Sequence, residues 1–277
     1  MENFVINGQD GLPLTLDITW SDNTKAPVIL FLHGFKGFKD WGHWHLIARE
    51  FAQKGFHFIK MNFTHNGTEP AHLSDFTRLD LFGRNTFSKE LEDVRTVLDW
   101  MGNEDKLKAR SDLDRVVLIA HSRGGPIARI TAIEDPRVKA LVTWGSIGHL
   151  NRFTDKELEI WKKEGVMYVE NSRTNQSMPL NYSLAEDFLS NKERLDIQHY
   201  GGKLKKPYLI VHGSDDETIS LKEAQSMKDM VNHTAFHVIQ NGDHGFGAVH
   251  PWTATDIPEI TEELIEVTSK FLSDQLS

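Results

Sequence analysis

Three apolar runs in this chain break off at residues that could do chemistry. Val116-Val117-Leu118-Ile119-Ala120 stops at His121-Ser122-Arg123-Gly124-Gly125, so a serine sits between small residues two positions before it and two after. A strand that ends this abruptly at a serine reads as a nucleophile elbow, a strained strand-to-helix turn that exposes the hydroxyl and needs small flanks so that the backbone can fold back. Ala120 stands where such turns usually have glycine, and a methyl must be fitted there. Gly125-Pro126-Ile127-Ala128-Arg129-Ile130-Thr131-Ala132 follows and reads as a helix with proline in its first turn. The free N–H groups and positive dipole end of that helix favour negative charge developing beside Ser122. Further along, Pro207 to Val211 is a second apolar run closing in His212-Gly213-Ser214-Asp215-Asp216, and Ala235 to Ile239 is a third, closing in Gly242-Asp243-His244-Gly245. A serine, a carboxylate and a histidine are the parts of two-step acyl transfer, with nucleophile, orienting acid and general base. Asp215 and Asp216 are adjacent and cannot both point at His244, so the residues alone leave the acid open between them.

The elements that would bring these groups together form an α/β pattern. In a parallel sheet the C-terminal strand ends share one edge, so side chains far apart in sequence can be aimed at one another there. Phe4-Val5-Ile6 and Leu12 to Trp20 read as an opening antiparallel pair, and Ala26 to Leu32 as a further strand ending in His33-Gly34-Phe35. A helix is predicted from about Gly42 to Lys54, a strand over Phe56–Phe63, and a helix over Lys89–Met101 capped by Ser88, with Leu91, Val94, Leu98 and Met101 on one face. Val138–Gly145 reads as a strand, and the closing helix as Ile257–Leu272. Between Gly145 and Tyr208 the alternation lapses for far longer than an ordinary βα connection, which predicts an inserted cap. The expected organisation is a core over residues 1–149 and 204–277, interrupted by a cap over 150–203. Trp161, Met167, Tyr168, Met178, Tyr182 and Phe188 either cover a pocket or form the cap's own small core, and the second reading is preferred for most of them.

Composition narrows the class of function. The formal charge of −9 over 277 residues argues against a partner with a phosphate backbone, and no basic stripe is present. There is no cysteine, so disulfides, thiolate metal sites and a cysteine nucleophile are excluded. The first residues have neither the basic start nor the apolar core of a signal peptide, and no run is long enough to span a bilayer, so a cytoplasmic protein with no membrane partner is expected. His43 and His45 form a pair, and His65, His72, His199 and His250 lie in loops, but no tight ligand motif such as H-E-x-x-H joins them. No metal is expected.

With His33-Gly34-Phe35, Ala120 to Gly125, His212 to Asp216 and Gly242-Asp243-His244 in this order, the chain resembles the α/β-hydrolases, and within them is similar to dienelactone-hydrolase-like and feruloyl-esterase-like serine hydrolases. The resemblance covers nearly the whole chain. It implies a mostly parallel central sheet wrapped by helices, with Ser122, Asp216 and His244 as the triad, because the acid of such enzymes falls three residues after the glycine of His-Gly. It implies an oxyanion hole from the main-chain N–H groups of Phe35 and Arg123, leaving His33 as a hydrogen-bonded loop histidine. Phe246, Trp252 and Trp161 are the expected pocket walls. The expected activity is hydrolysis of a small-molecule carboxylic ester with a small or medium acyl group, through an acyl-enzyme and without a cofactor. A peptidase or amidase using the same triad, and a non-catalytic small-molecule-binding homologue, are the alternatives, since the fold alone does not choose a substrate.

Overall fold

The structure is a computed structural model and describes residues 1–198, 203–231 and 234–276. In chain order its strands are β1 (Glu2–Asn7), β2 (Pro13–Thr19), β3 (Ala26–Leu32), β4 (His57–Met61), β5 (Ser111–His121), β6 (Val138–Trp144), β7 (Val166–Asn171), β8 (Gln176–Asn181), β9 (Tyr208–Gly213) and β10 (Thr234–Ile239). The helices are α1 (Trp44–Gln53), α2 (Leu79–Gly83), α3 (Phe87–Asn103), α4 (Asp105–Arg110), α5 (Gly124–Glu134), α6 (Asp155–Glu164), α7 (Ser183–Ser190), α8 (Lys192–Leu195), α9 (Leu221–Met230) and α10 (Glu259–Leu276). Eight strands form one sheet in the order β1-β2-β4-β3-β5-β6-β9-β10. Only the β1–β2 and β2–β4 pairs are antiparallel. From β4 to β10 every pair is parallel, so the ends of β3, β5, β6, β9 and β10 share one edge.

The central strands are apolar on both faces because helices cover both. Val28, Leu30 and Leu32 of β3 join Val116, Leu118 and Ala120 of β5 in a core under α3 and α5. The alternate residues, Ile29, Phe31, Val117 and Ile119, belong to a second core with Trp44, Ile47 and Phe51 of α1 and Leu264, Ile265 and Leu272 of α10. A run that feeds two cores by alternation reads in sequence as an unbroken apolar stretch. The methyl of Ala120 is accommodated without exposure, in register with Leu32 on one side and Thr143 on the other.

Several boundaries differ from the sequence expectations. β5 begins at Ser111, because Ser111 and Asp112 pair with the start of β3 before the register shifts. α3 starts earlier than its apolar face implied: Thr86 is its cap, its side chain accepting from the N–H of Lys89. Ser88 instead ties α3 to α7, its hydroxyl donating to Asp187 Oδ1 at 2.6 Å. α10 runs over Glu259–Leu276, two residues later at its start than Ile257 and four later at its end than Leu272.

Between β6 and β9 the chain leaves the sheet to form α6, the antiparallel β7–β8 hairpin, α7 and α8. α6 opens on a capping box between Thr154 and Glu157 and closes at Gly165 in the left-handed region. Trp161, Met178 and Phe188 are buried in this insertion, and Trp161 Nε1 donates to the carbonyl of Leu180 at 2.8 Å. Tyr168 is largely exposed. No described helix is long and apolar enough to cross a membrane.

Candidate active site

Ser122 follows the last residue of β5 directly and lies in the left-handed region, with φ 54°. That conformation is costly for a residue with a side chain. It is held by a hydrogen bond from the Ser122 N–H to Trp144 O at 3.0 Å and one from the Gly125 N–H to Ser122 O at 3.0 Å. The sharp turn brings α5 hard against the end of β3. A Cβ added to Gly124 would lie 2.7 Å from Leu32 O and 2.8 Å from His33 O. Gly34 is as tightly placed, since a Cβ there would meet that of Ser122 at 2.8 Å. The loop after β3 therefore packs directly beside the serine.

The structure brings Ser122, His244 and Asp216 into one hydrogen-bonded chain. His244 Nε2 is 3.1 Å from Ser122 Oγ, and His244 Nδ1 is 2.8 Å from Asp216 Oδ2. The other Asp216 oxygen accepts from the N–H groups of Thr218 at 2.9 Å and Ile219 at 2.8 Å, which fixes the carboxyl plane. Burial alone would push the Asp216 carboxyl up, but the hydrogen bond and charge of His244 and the Ile219 N–H outweigh it and hold the group below the usual carboxylate range. Asp215 points away to solvent, where Ser214 Oγ donates to it at 2.7 Å. Asp243 is a loop acceptor for the Gly247 N–H at 2.7 Å.

His121 was not singled out in the sequence, yet it braces the site. Its Nε2 donates to the carbonyl of His244 at 2.8 Å, and the two rings are 4.7 Å apart. His33 turns its Nδ1 to Gly34 O at 2.9 Å, as a loop histidine does. Burial, reinforced by His244, holds His121 down at about 3, while burial and the Arg123 cation hold His33 at about 4 against the Gly34 hydrogen bond. Both rings are neutral near neutral pH. Because the unfolded imidazole titrates at ~6.5, the unfolded chain takes up these protons first, and the stability each neutral ring contributes is lost as pH falls below that value. Between pH 7 and pH 5 each is expected to withdraw about 2 kcal/mol. Thermal unfolding from pH 7.5 to pH 5 checks this, with a shallower decline expected for His121→Gln.

Phe35 and Arg123 face one another beside Ser122. Neither main-chain N–H donates a hydrogen bond to any described residue. Their side chains also meet, the guanidinium of Arg123 lying 4.7 Å from the Phe35 ring centroid. Arg123 is anchored in turn by the buried carboxylate of Glu90 on α3, which also accepts from Asn85 Nδ2 at 2.7 Å. An ion pair this deep depends on both partners being present, since removing one strands a buried charge.

The cleft over Ser122 encloses about 340 Å³. Phe35, Trp41 and Trp44 supply its aromatic wall, and Asn171 and Arg173 close it from the β7–β8 side. The three expected pocket residues do not line it. Trp161 is committed to the core of the insertion, Phe246 is fully buried on the α1–α10 side of the sheet, and Trp252 packs against His43. Aromatic type alone did not reveal which way each ring turns. Asn171 and Arg173 escaped notice because they sit in a polar turn whose docking no local pattern encodes.

The scattered histidines have separate duties. His43 Nε2 meets Thr261 Oγ1 at 2.7 Å, His250 Nδ1 accepts from the Gly42 N–H at 3.0 Å, and His65 lies beside Lys89 and Asp10. His199 is outside the described residues. Among the described residues no three His, Asp or Glu side chains are grouped to hold a metal ion.

Residues 27–164 match the family model of the alpha/beta hydrolase fold. A curated relative, the 2-hydroxy-6-oxo-6-(2'-aminophenyl)hexa-2,4-dienoic acid hydrolase of Metapseudomonas resinovorans, is 23% identical over 194 residues, 61% of this chain and 63% of that protein, so the chain spans just under two thirds of its length. Among solved structures, Est1E of Butyrivibrio proteoclasticus with ferulic acid bound superposes with a TM-score of 0.72 at 17% identity, covering 99% of both chains. The esterase domain of a Rhodothermus marinus protein does so at 0.67 and 16%, covering 100% of this chain and 99% of that one. With the family match across β3 to α6, this likeness over nearly the full length of both chains means that the chain has the alpha/beta hydrolase fold.

Proposed function

We propose that the chain is a serine hydrolase that cleaves a carboxylic ester of a small or medium acyl group through an acyl-enzyme intermediate. The observation that carries this reading is the hydrogen-bonded run from Ser122 Oγ through His244 to Asp216, at 3.1 and 2.8 Å. In the first step Ser122 Oγ bonds to the substrate carbonyl carbon while its proton passes to His244 Nε2. Asp216 keeps Nδ1 protonated and stabilises the imidazolium that results. The negative charge on the carbonyl oxygen is met by the main-chain N–H groups of Phe35 and Arg123, which have no competing acceptor among the described residues. Collapse of this adduct breaks the bond to the leaving alkoxide, which takes the proton from His244. Water then repeats the attack on the acyl-enzyme, and His244 serves again as base.

The relatives give the reading its context. The curated relative is named a hydrolase of a dienoic acid, and two of the similar structures are an esterase domain and Est1E holding ferulic acid. A cleft of about 340 Å³ lies at the small end of ligand sites, which suits a small ester better than a peptide. The test is a panel of aryl esters, thioesters and aminoacyl amides of graded acyl length, with the Ser122→Ala protein as blank, together with a fluorophosphonate probe read by peptide mapping. Esters of short and medium acyl chains are expected to turn over fastest, and the probe is expected on Ser122. Labelling at another serine, or turnover confined to the amides, would overturn the reading.

A further inference from the structure

One wall of the cleft carries groups that the acyl transfer does not use. Asn171 ends β7, and Arg173 stands in the turn before β8. Asn171 Nδ2 and Arg173 Nη2 are both buried atoms with no hydrogen-bond acceptor among the described residues, and Asn171 is only 5% exposed. The guanidinium of Arg173 rests instead on ring faces, 5.4 Å from the Phe38 centroid and 5.7 Å from that of Phe76. Asp75 reaches it through the field without a hydrogen bond. Buried donors are almost always paired, and leaving them unpaired is costly, most of all where one is charged.

These donors are fixed before any ligand arrives. The turn is closed by the Thr174 N–H donating to Asn171 O at 3.1 Å, and Gln176 Nε2 pins it to the carbonyl of Phe76 at 3.0 Å. On its other side Lys36 Nζ, from the loop that carries Phe35, donates to Glu170 O at 2.9 Å. Lys36 and Arg173 both line the cleft, and among the described residues no Asp or Glu does. A chain of net charge −9 thus gathers two cations and an unpaired amide around the cleft over Ser122.

We infer that the β7–β8 turn forms an anion subsite, and that the substrate carries, apart from the bond cleaved at Ser122, a carboxylate that accepts from Arg173 and Asn171. A planar carboxylate matches this donor set because the guanidinium offers parallel N–H groups and the amide a third. The statement about which bond is cleaved rests on the serine hydrolase reading. The subsite itself does not.

The experiment therefore has a turnover arm and a binding arm. In the first, the 4-nitrophenyl monoester of adipic acid is compared with the same ester ending in a neutral carboxamide. The full chain is expected to favour the carboxylate by roughly tenfold to a hundredfold in kcat/KM, carried mainly by KM. In Arg173→Gln that ratio is expected to fall to near 1, in Arg173→Lys to keep part of its value, and in Asn171→Leu to drop severalfold, with circular dichroism as the folding check. In the second arm, 4-phenylbutyrate and 4-phenylbutyramide are titrated by calorimetry into Ser122→Ala protein with and without Arg173→Gln, and only the carboxylate is expected to bind in an Arg173-dependent way. Ser122-dependent turnover with a ratio near 1 in the parent would overturn the subsite while leaving the hydrolase reading intact. Absent turnover with Arg173-dependent carboxylate binding would sustain the subsite and remove the hydrolase reading. Equal binding of acid and amide by the Ser122→Ala protein would overturn the subsite regardless of turnover.

Discussion

Replacing Ser122 by alanine is expected to lower ester turnover by on the order of a millionfold while leaving the protein folded, because the nucleophile and its base act as a unit. A loss of that size corresponds to about 8 kcal/mol of transition-state stabilisation. The folding cost is far smaller. The hydroxyl makes one hydrogen bond, to His244, and a typical bond of this kind contributes ~0.5–1.5 kcal/mol net. Alanine keeps the left-handed backbone of the elbow as strained as it was, so the turn itself neither gains nor loses. Single-turnover and steady-state assays against the parent, with thermal unfolding alongside, check the two halves of the expectation. A decline of only ten- or a hundredfold would mean that Ser122 is not the attacking group, and a collapse of the melting temperature would mean that the loss of turnover reports unfolding.

The legible part of this protein was the part encoded by local pattern. The runs ending at Leu32, His121, Trp144 and Gly213 are strands because each must feed two helical layers, and a residue set that satisfies two cores leaves an unmistakable apolar block. Their ends were equally plain, since a tight turn at the shared sheet edge demands small residues beside the functional one. That is why Ser122 and His244 could be named from the residues themselves, Asp216 being chosen over Asp215 by the family resemblance, and the three are found together in space. Everything that depends on tertiary docking was hidden. Lys60 is fully buried, paired across β2 and β4 with Asp17 and reaching Asp40 at 2.5 Å, and no local pattern marks it for that place. Its partners lie forty-three and twenty residues away in a chain where many other charges are simply solvated. The pocket walls failed for the same reason: Trp161 and Phe246 advertise burial, and burial says nothing about which cavity, if any, a ring faces. Trp41 and Trp44 line the cleft because α1 is docked over the end of β3, and Arg173 because the β7–β8 hairpin, more than twenty residues from β6 on one side and from β9 on the other, is pinned there by Lys36 and Gln176.

Of the two adjacent carboxylates, only one can serve His244, and the expected contrast between them is large. Asp216→Asn is expected to fold normally and to lose roughly four orders of magnitude in turnover, about 5 kcal/mol. The reason lies in what each Asp216 oxygen already does. Oδ1 accepts two N–H groups, from Thr218 and Ile219, so an asparagine at this position keeps its carbonyl oxygen there and turns its NH₂ toward His244 Nδ1. A donor facing Nδ1 selects the tautomer with the proton on Nε2, the atom that must be free to receive a proton from Ser122. Asp215→Asn removes only an exposed partner of Ser214 Oγ and is expected to turn over ester within about twofold of the parent, as surface changes away from such features usually do. Turnover of both variants across pH 6 to 9, with melting temperature as the folding control, decides the matter. An inactive Asp215→Asn beside an active Asp216→Asn would require the β9 turn to rearrange during catalysis so that the carboxyl now at the surface replaces the one now hydrogen-bonded to His244.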